Sequence, residues 1–420
     1  LWILHENKEW GEKDINTLLK STPISLNERI VSLDIIRGFA LFGIFLGNMQ
    51  LFQTPQLVHD MYMIPQQMGE SDKWIRIFLD IFVEFKFFSI FSFLFGLGFY
   101  IFMSRAEKKI DQFYTLFLRR LTILAIFGFL HLVFLWYGDV LLNYALAGFF
   151  LIFFYKRKTK TIFTWILIFT IALTFLLLSN LFSSAEELTH EIQMLQVDGS
   201  GKVELAIEHY HNGSYLDWLT YRFNNEVIPI LKDLPFSILT ALYMFLLGLY
   251  IGKRRIISEF DSHKDLVKRT WWISLLFSIP FSIFILIFHL DILNYGVLNE
   301  IAIQVFITLS GLSLSLFYIS SLIILLQKDK WIKFFHPLSY VGRMALTNYL
   351  IQSIIGVGIF KGLGLFGELN LGLGIVISLI VFPIQILLSY LWLKNYKYGP
   401  LEWVWRSATY GKIQPLKYRD

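Results

Sequence analysis

Apolar residues along this chain come in long runs, separated by short charged stretches, with neither the alternation of a half-buried strand nor the one-sided stripe of a surface helix. About ten of these runs are long and apolar enough to cross a bilayer. Their limits are Ile30–Phe52, Ile75–Met103, Leu116–Tyr137, Val140–Tyr155, Thr161–Leu181, Ile230–Gly252, Thr270–Leu290, Ile301–Leu326, Ser339–Phe360 and Leu371–Leu393. The fourth is short and follows the third closely, as a tilted or partly re-entrant segment does, so the count is good to about one.

The intervening stretches alternate in basic charge. One set carries Arg105, Lys108 and Lys109; Lys156, Arg157, Lys158 and Lys160; Lys253, Arg254 and Arg255; Lys328, Lys330 and Lys333; and Lys394, Lys397 and Arg406. The other set is acidic or nearly neutral, with Asp60, Glu70, Asp139, Asp291 and Glu368. Lysine- and arginine-rich loops stay in the cytoplasm, which puts both termini inside, as an even number of spans requires. The expected fold is an all-α polytopic membrane protein. Its expected parts are a cytoplasmic segment 1–28, an N-terminal membrane bundle 29–181, a non-cytoplasmic loop 182–229, a C-terminal bundle 230–398 and an interfacial cytoplasmic tail 399–420.

Composition agrees. Of 420 residues 55% are hydrophobic and 18% aromatic, including 42 Phe, with 16% charged; mean hydropathy is +0.57. A soluble protein this apolar could not cover its surface. The absence of cysteine excludes disulfides and thiolate chemistry. The net charge of +5 lies mainly in short loops, so it reads as topology and gives no sign of a nucleic-acid partner. Leu1–Glu28 lacks the apolar core of a cleavable signal peptide.

The loop Phe182–Val227 is large enough to carry function or its own structure. Its Glu208-His209-Tyr210-His211 run does not place both imidazoles on one helical face, and no metal site is expected. Asn212-Gly213-Ser214 fits the glycosylation sequon, but a three-residue match carries little weight. No internal repeat supports an inverted-repeat transporter.

Polar residues inside the runs carry the candidate chemistry, because ionisable groups in hydrocarbon are costly. Asp34 and Arg37, three apart, share a helical face in the first run, and Asn48 returns to nearly that face roughly 21 Å further on. This stripe must face protein or water; an ion pair that fixes packing and a direct substrate role both remain open. His131 lies roughly 16 Å beyond Arg120, in the non-cytoplasmic half of the third run. It suits a general base, and Asp139 suits its orienter if Gly138 breaks the helix; an unbroken helix would hold them roughly 12 Å apart. An interhelical hydrogen bond is the plain alternative for this histidine. Arg119 and Arg120 read either as anchors or as anion ligands. The ninth run carries Arg343, Thr347, Asn348, Tyr349, Gln352 and Ser353 over more than half its circumference, so protein must surround it. Arg37 and Arg343 lie near the cytoplasmic end, where they could bind phosphate. Gly356–Gly374 matches no phosphate loop, and Gly399–Arg406 reads as an interfacial aromatic anchor.

Five stretches together resemble the DUF418 or YeiB-like family of bacterial membrane proteins. They are Arg29–Asn48, Phe85–Phe99, His131 with Gly138–Leu141 and Tyr144–Leu146, His336–Ser353, and Gly399–Gly411. The opening Ser-Leu-Asp-Ile-Ile-Arg-Gly block is also similar to that of heparan-α-glucosaminide N-acetyltransferases and of envelope O-acyltransferases. The resemblance implies a transmembrane acyltransferase that takes an acyl group from cytoplasmic acyl-CoA and uses a histidine base. On that expectation His131, Asp139 and Asn48 are catalytic, with Asn48 the oxyanion donor. Asp34, Arg37, Arg119, Arg120, Arg343, Asn348 and Tyr349 bind substrate or the donor, acetyl-CoA or another acyl-CoA. No tightly bound cofactor is expected. The expected partners are the bilayer of a bacterial cytoplasmic membrane, acyl-CoA and a glycan or lipid acceptor, with homodimerisation open. The competing readings are a transporter or flippase for a small polar or lipid-linked molecule, and a non-catalytic scaffold or sensor.

Overall fold

The computed structural model describes residues 30–66, 68–179, 185–293, 296 and 298–418. The expected segment 1–28 and the junction 180–184 lie outside the described residues. The described chain is all-helical apart from an isolated bridge between Tyr396 and Lys417.

In chain order the α-helices are α1 (Val31–Gln53), α2 (Gln56–Tyr62), α3 (Glu70–Phe82), α4 (Lys86–Ala106), α5 (Phe113–Phe134), α6 (Leu141–Leu151), α7 (Thr159–Ser179), α8 (Ala185–Asp198), α9 (Lys202–His211), α10 (Tyr215–Arg222), α11 (Ile228–Lys253), α12 (Phe260–His289), α13 (Leu298–Leu325), α14 (Asp329–Arg343), α15 (Ala345–Val357), α16 (Leu371–Asn395) and α17 (Pro400–Tyr410). Among the described residues, eight helices or near-continuous runs are long and apolar enough to span: α1, α3–α4, α5, α7, α10–α11, α12, α13 and α16. The chain is an all-α polytopic membrane protein.

Three spans differ from the sequence expectation. The ninth breaks at Met344, where α14 and the run 345–362 meet at 77°; Met344 leaves the helical region at φ −115°, ψ 36°. The second breaks between α3 and α4, where Phe85 adopts φ +63°. The fourth is α6 with a 3-10 turn over Ile152–Phe154, roughly 21 Å in all and shorter than a bilayer core. It is short because its connection to α5 is sunk into the protein: Trp136 and Tyr137 in that turn are buried. Irregular backbone at membrane depth requires such protein cover.

The basic stretches gather at one end of the bundle. Tyr155 donates to Glu107 at 2.6 Å, Lys253 donates to the Tyr155 carbonyl at 2.5 Å, and Trp405 donates to the Arg120 carbonyl at 2.9 Å. At the far end Gly367 N–H donates to Gln53 O at 2.7 Å and Lys361 to Gly213 O at 2.8 Å. The large loop is helical over α8, α9 and α10 and packs on that far end.

Packing divides the spans. In the most apolar part of α1, 56% of residues are buried, against 17% for α7; α7, α12 and α16 form a lipid-facing rim, with Phe175, Leu276 and Leu388 exposed. Small residues allow the inner helices to touch backbone to backbone. A Cβ on Gly342 would sit 1.9 Å from the Asp34 carbonyl oxygen, and one on Gly38 would sit 2.1 Å from that of Leu338. The α4–α11 crossing repeats the device with Gly96 against Phe245 and Gly248 against Phe93.

Candidate functional site

α5 ends at Phe134, and both Leu135 and Trp136 N–H groups return to the His131 carbonyl, at 3.0 and 2.9 Å. The chain then turns through Gly138 and brings Asp139 back beside His131. His131 Nδ1 lies 2.9 Å from Asp139 Oδ1, and His131 Nε2 lies 2.9 Å from Ser353 Oγ on α15. Asp139 Oδ2 accepts from Leu142 N–H at 2.7 Å, so both carboxylate oxygens are engaged and α6 is capped by the same side chain. His131 and Ser353 are 3% and 1% exposed. A carboxylate can only accept, so in the neutral imidazole Nδ1 carries the ring proton and Nε2 is an acceptor facing the Ser353 hydroxyl. This is the hydrogen-bond order of a serine–histidine–carboxylate triad, which is recognised by geometry and roles rather than chain order.

Tyr349, one turn before Ser353, clamps the turn. Its hydroxyl donates to Gly138 O at 2.8 Å and accepts from Val140 N–H at 3.2 Å. The hydroxyl expected to contact substrate is thus engaged in holding this turn. Trp136 packs edge-on to His131 at 6.3 Å between ring centroids and stacks on Phe52 at 3.9 Å. Its indole N–H is buried without a hydrogen-bond partner among the described residues.

The other expected residues divide between separate places. Asn48 is half-buried on α1 and makes no hydrogen bond to the triad. Asn348 donates to Met344 O at 3.0 Å and Ser389 Oγ at 2.9 Å, which stitches the broken span to α16. At the basic end Arg37 donates to Asp34 at 2.8 Å and to Gly342 O at 3.1 Å, so it fastens α1 to α14. Arg120 lies 3.6 Å over the Trp405 ring and holds α17 to α5, while Arg119 is exposed beside Gly411. Arg343 lines a cavity of about 240 Å³ with Val31, Asp34, His336, Ser339, Tyr340 and Tyr418. Its Nη2 is 3.4 Å from the Tyr418 hydroxyl, and its buried Nε has no partner among the described residues.

In the outer loop, His209 stacks on Tyr221 at 4.8 Å and His211 reaches Phe366 O at 2.6 Å, so the two rings serve different contacts. Arg222 donates to Leu132 O and Val133 O at 3.0 and 3.3 Å and so caps the helix that carries His131.

Sequence reasoning missed two features. Ser353 was visible only as one polar residue among several, 222 positions from its partner. The second feature is a buried charge cluster at the α3–α4 break. Asp80 receives Arg76 at 3.1 Å and His289 at 2.8 Å, the Asp80 carbonyl receives Lys86 at 2.5 Å, and Arg76 also reaches Gln50 at 2.9 Å. Asp80, Glu84 and Lys86 inside the apolar stretch 75–103 were the available signal.

A helical multi-pass membrane protein with a buried serine–histidine–aspartate cluster is thus the class that fold and site define. The chain belongs to the DUF418, YeiB-like family. A family model described as a protein of unknown function (DUF418) matches residues 251–412. The chain is 34% identical over 415 residues to the uncharacterized protein YxaH of Bacillus subtilis (strain 168), covering 94% of this chain and 97% of that one. It is 31% identical over 414 residues to an uncharacterized 39.9 kDa protein of Bacillus acidopullulyticus encoded in the amylase 3' region, with the same coverage. To the uncharacterized protein YeiB of Escherichia coli (strain K12) it is 26% identical over 391 residues, covering 91% and 96%. No solved structure matches the chain.

Proposed function

We propose that the protein is an acyltransferase of the bacterial cytoplasmic membrane, taking an acyl group from cytoplasmic acyl-CoA and delivering it to an acceptor on the other side, with His131 as general base. The observation that carries the reading is the ordered imidazole: Asp139 fixes the Nδ1 proton, and Nε2 is left to accept from a hydroxyl at 2.9 Å. The basic-end cavity supplies a place for the donor. Arg343 lines it, and a guanidinium suits phosphate oxygens. From Ala345, at the start of α15, Ser353 is eight residues or roughly 12 Å along the helix.

The test is release of free thiol from acetyl-CoA by purified protein in micelles, with and without membrane extract as acceptor. The chain has no cysteine, so every thiol detected is CoA. Wild type should turn over, and His131→Gln should be slower by on the order of 10²-fold or more. No release by wild type, or equal release by both, overturns the reading. A second reading, a transporter, rests on the Arg76–Asp80–His289 cluster, since intramembrane charges also mark ion pathways.

A further inference from the structure

The geometry points to Ser353 as the nucleophile of a covalent acyl-enzyme, so that the acyl group rests on this chain between donor and acceptor. The inference rests on the acyltransferase reading and goes beyond its single base.

The first argument is where the hydroxyl points. Serines in apolar helices ordinarily donate to a carbonyl of the preceding turn. Ser274, Ser310, Ser320 and Ser378 do so here, at 2.7, 3.0, 2.6 and 3.0 Å. Ser353 is 3.4 Å from the Tyr349 carbonyl and 2.9 Å from His131 Nε2. Its shorter contact is to the imidazole, and the bond to its own helix is the longer one. The second argument is that the whole relay is oriented: Asp139 is held by Leu142 N–H, and its turn by Tyr349. The third is Trp136, whose ring packs edge-on to the imidazole and whose buried indole N–H has no partner among the described residues, an uncommitted donor of the kind an oxyanion needs.

The reaction balances without a further reagent. Ser353 Oγ bonds to the acyl carbonyl carbon of the thioester while its proton passes to His131 Nε2. The C–S bond then breaks, and the departing thiolate takes that proton, leaving free thiol and an acyl ester on Oγ. In the second half the acceptor hydroxyl gives its proton to Nε2 and bonds to the carbonyl carbon. Oγ leaves and recovers the proton.

The test uses the full-length protein in micelles and two probes. A fluorophosphonate reagent, which bonds to activated serine hydroxyls with loss of fluoride, should label the peptide containing Ser353. Acetyl-CoA should leave one acetyl group on the same peptide, read by mass spectrometry after acid quench. Ser353→Ala should abolish both adducts, and His131→Gln should slow both by on the order of 10²-fold. Size-exclusion profile and helical circular dichroism check that each variant is folded, and Ser353→Cys, the chain's single thiol, should regain an acetyl adduct as a thioester. Absence of both adducts from wild type, or labelling that His131→Gln leaves unchanged, overturns the inference. If Ser353→Ala still transfers acetyl groups at the wild-type rate, the nucleophile fails while the acyltransferase reading stands. If wild type consumes no acetyl-CoA, that reading fails, and fluorophosphonate labelling still decides whether the triad activates Ser353.

Discussion

Removing Arg222 should destabilise the protein strongly, and a second substitution should undo part of the damage. The side chain is fully buried. It donates to Glu226 at 2.7 Å and to the last carbonyls of α5, and its guanidinium lies 4.7 Å over the Trp218 ring. Arg222→Met keeps the stem over Trp218 and deletes all three hydrogen bonds. Breaking a buried pair from one side costs about 3–5 kcal/mol, because the remaining charge is stranded. Tyr210 still donates to Glu226 at 2.7 Å, which places that loss near the lower end. The exposed need of the two α5 carbonyls adds about 1 kcal/mol, giving about 4 kcal/mol in total. Glu226→Gln in the same background removes the stranded charge and should recover about 2 kcal/mol. The assay is equilibrium unfolding in mixed micelles followed by tryptophan fluorescence, run on all four corners of the double-mutant cycle. A loss below about 1 kcal/mol for Arg222→Met, or single losses that simply add, would refute the reasoning.

Asp139→Asn turns an amide towards His131 Nδ1 and favours the tautomer whose Nε2 cannot accept; fluorophosphonate labelling of Ser353 should slow by about 10²–10⁴-fold, and an unchanged rate sinks the relay. Gly342→Ala drives a Cβ into the Asp34 carbonyl and should cost about 1–3 kcal/mol or more, whereas Gly358→Ala, with open space around it, should be near neutral; equal melting temperatures would contradict the close crossing. Burial raises the Glu402 carboxyl above its ordinary value near 4.5, against the lowering effect of hydrogen bonds from Thr347. The folded state then holds a proton that the unfolded chain has lost, so stability should fall as pH rises from about 4.5 through the raised native value. Glu402→Gln should flatten that slope in melting temperature, and an equal slope in both proteins removes Glu402 as its source. Single cysteines at Ser200 and Lys330 should label oppositely with an impermeant reagent in intact cells; equal labelling overturns the topology.

Local signals were legible and distant ones were not. Gly138 after an apolar run announces the turn that returns Asp139 to His131, since both partners sit on one short stretch. Ser353 carries no such mark: its pairing is set by how α15 packs across α5, and neighbouring polar residues on that helix look equivalent in sequence. Asn348 and Gln352 prove to be packing contacts to Ser389 and Gln385. The helix breaks were also hidden. Met344 and Phe85 are neither glycine nor proline, whereas Pro235, Pro280, Pro337 and Pro383 lie inside helices that continue through them. Tertiary contacts decide these positions: the Gly342 crossing locks the end of α14, and the charge cluster holds the α3–α4 break. The basic-loop alternation survived because it reflects the end of the bundle to which each loop belongs, whatever the packing inside.

The two buried polar groups at helix breaks call for different explanations. Around Asp80, ionisable groups face one another: Arg76 and His289 meet the Asp80 carboxylate, Arg76 also approaches Glu84, and Lys86 donates to the Asp80 carbonyl across the α3–α4 break. Removing any one member strands another, so the cluster can be kept by the cost of losing part of it, even where an apolar replacement of the whole would be as stable. The triad differs at its hydroxyl. Ser353 could satisfy its hydroxyl wholly on the Tyr349 carbonyl, 3.4 Å away, as other helical serines in this chain do on theirs, so the buried His131–Asp139 pair does not need the serine to be stable. Holding imidazole, carboxylate and hydroxyl in register instead takes Asp139, Leu142 N–H, the Tyr349 clamp and the Arg222 cap on α5. Stability alone does not require that alignment. It does leave one imidazole nitrogen accepting from one serine hydroxyl inside a membrane protein, which is the arrangement needed to make that oxygen a nucleophile.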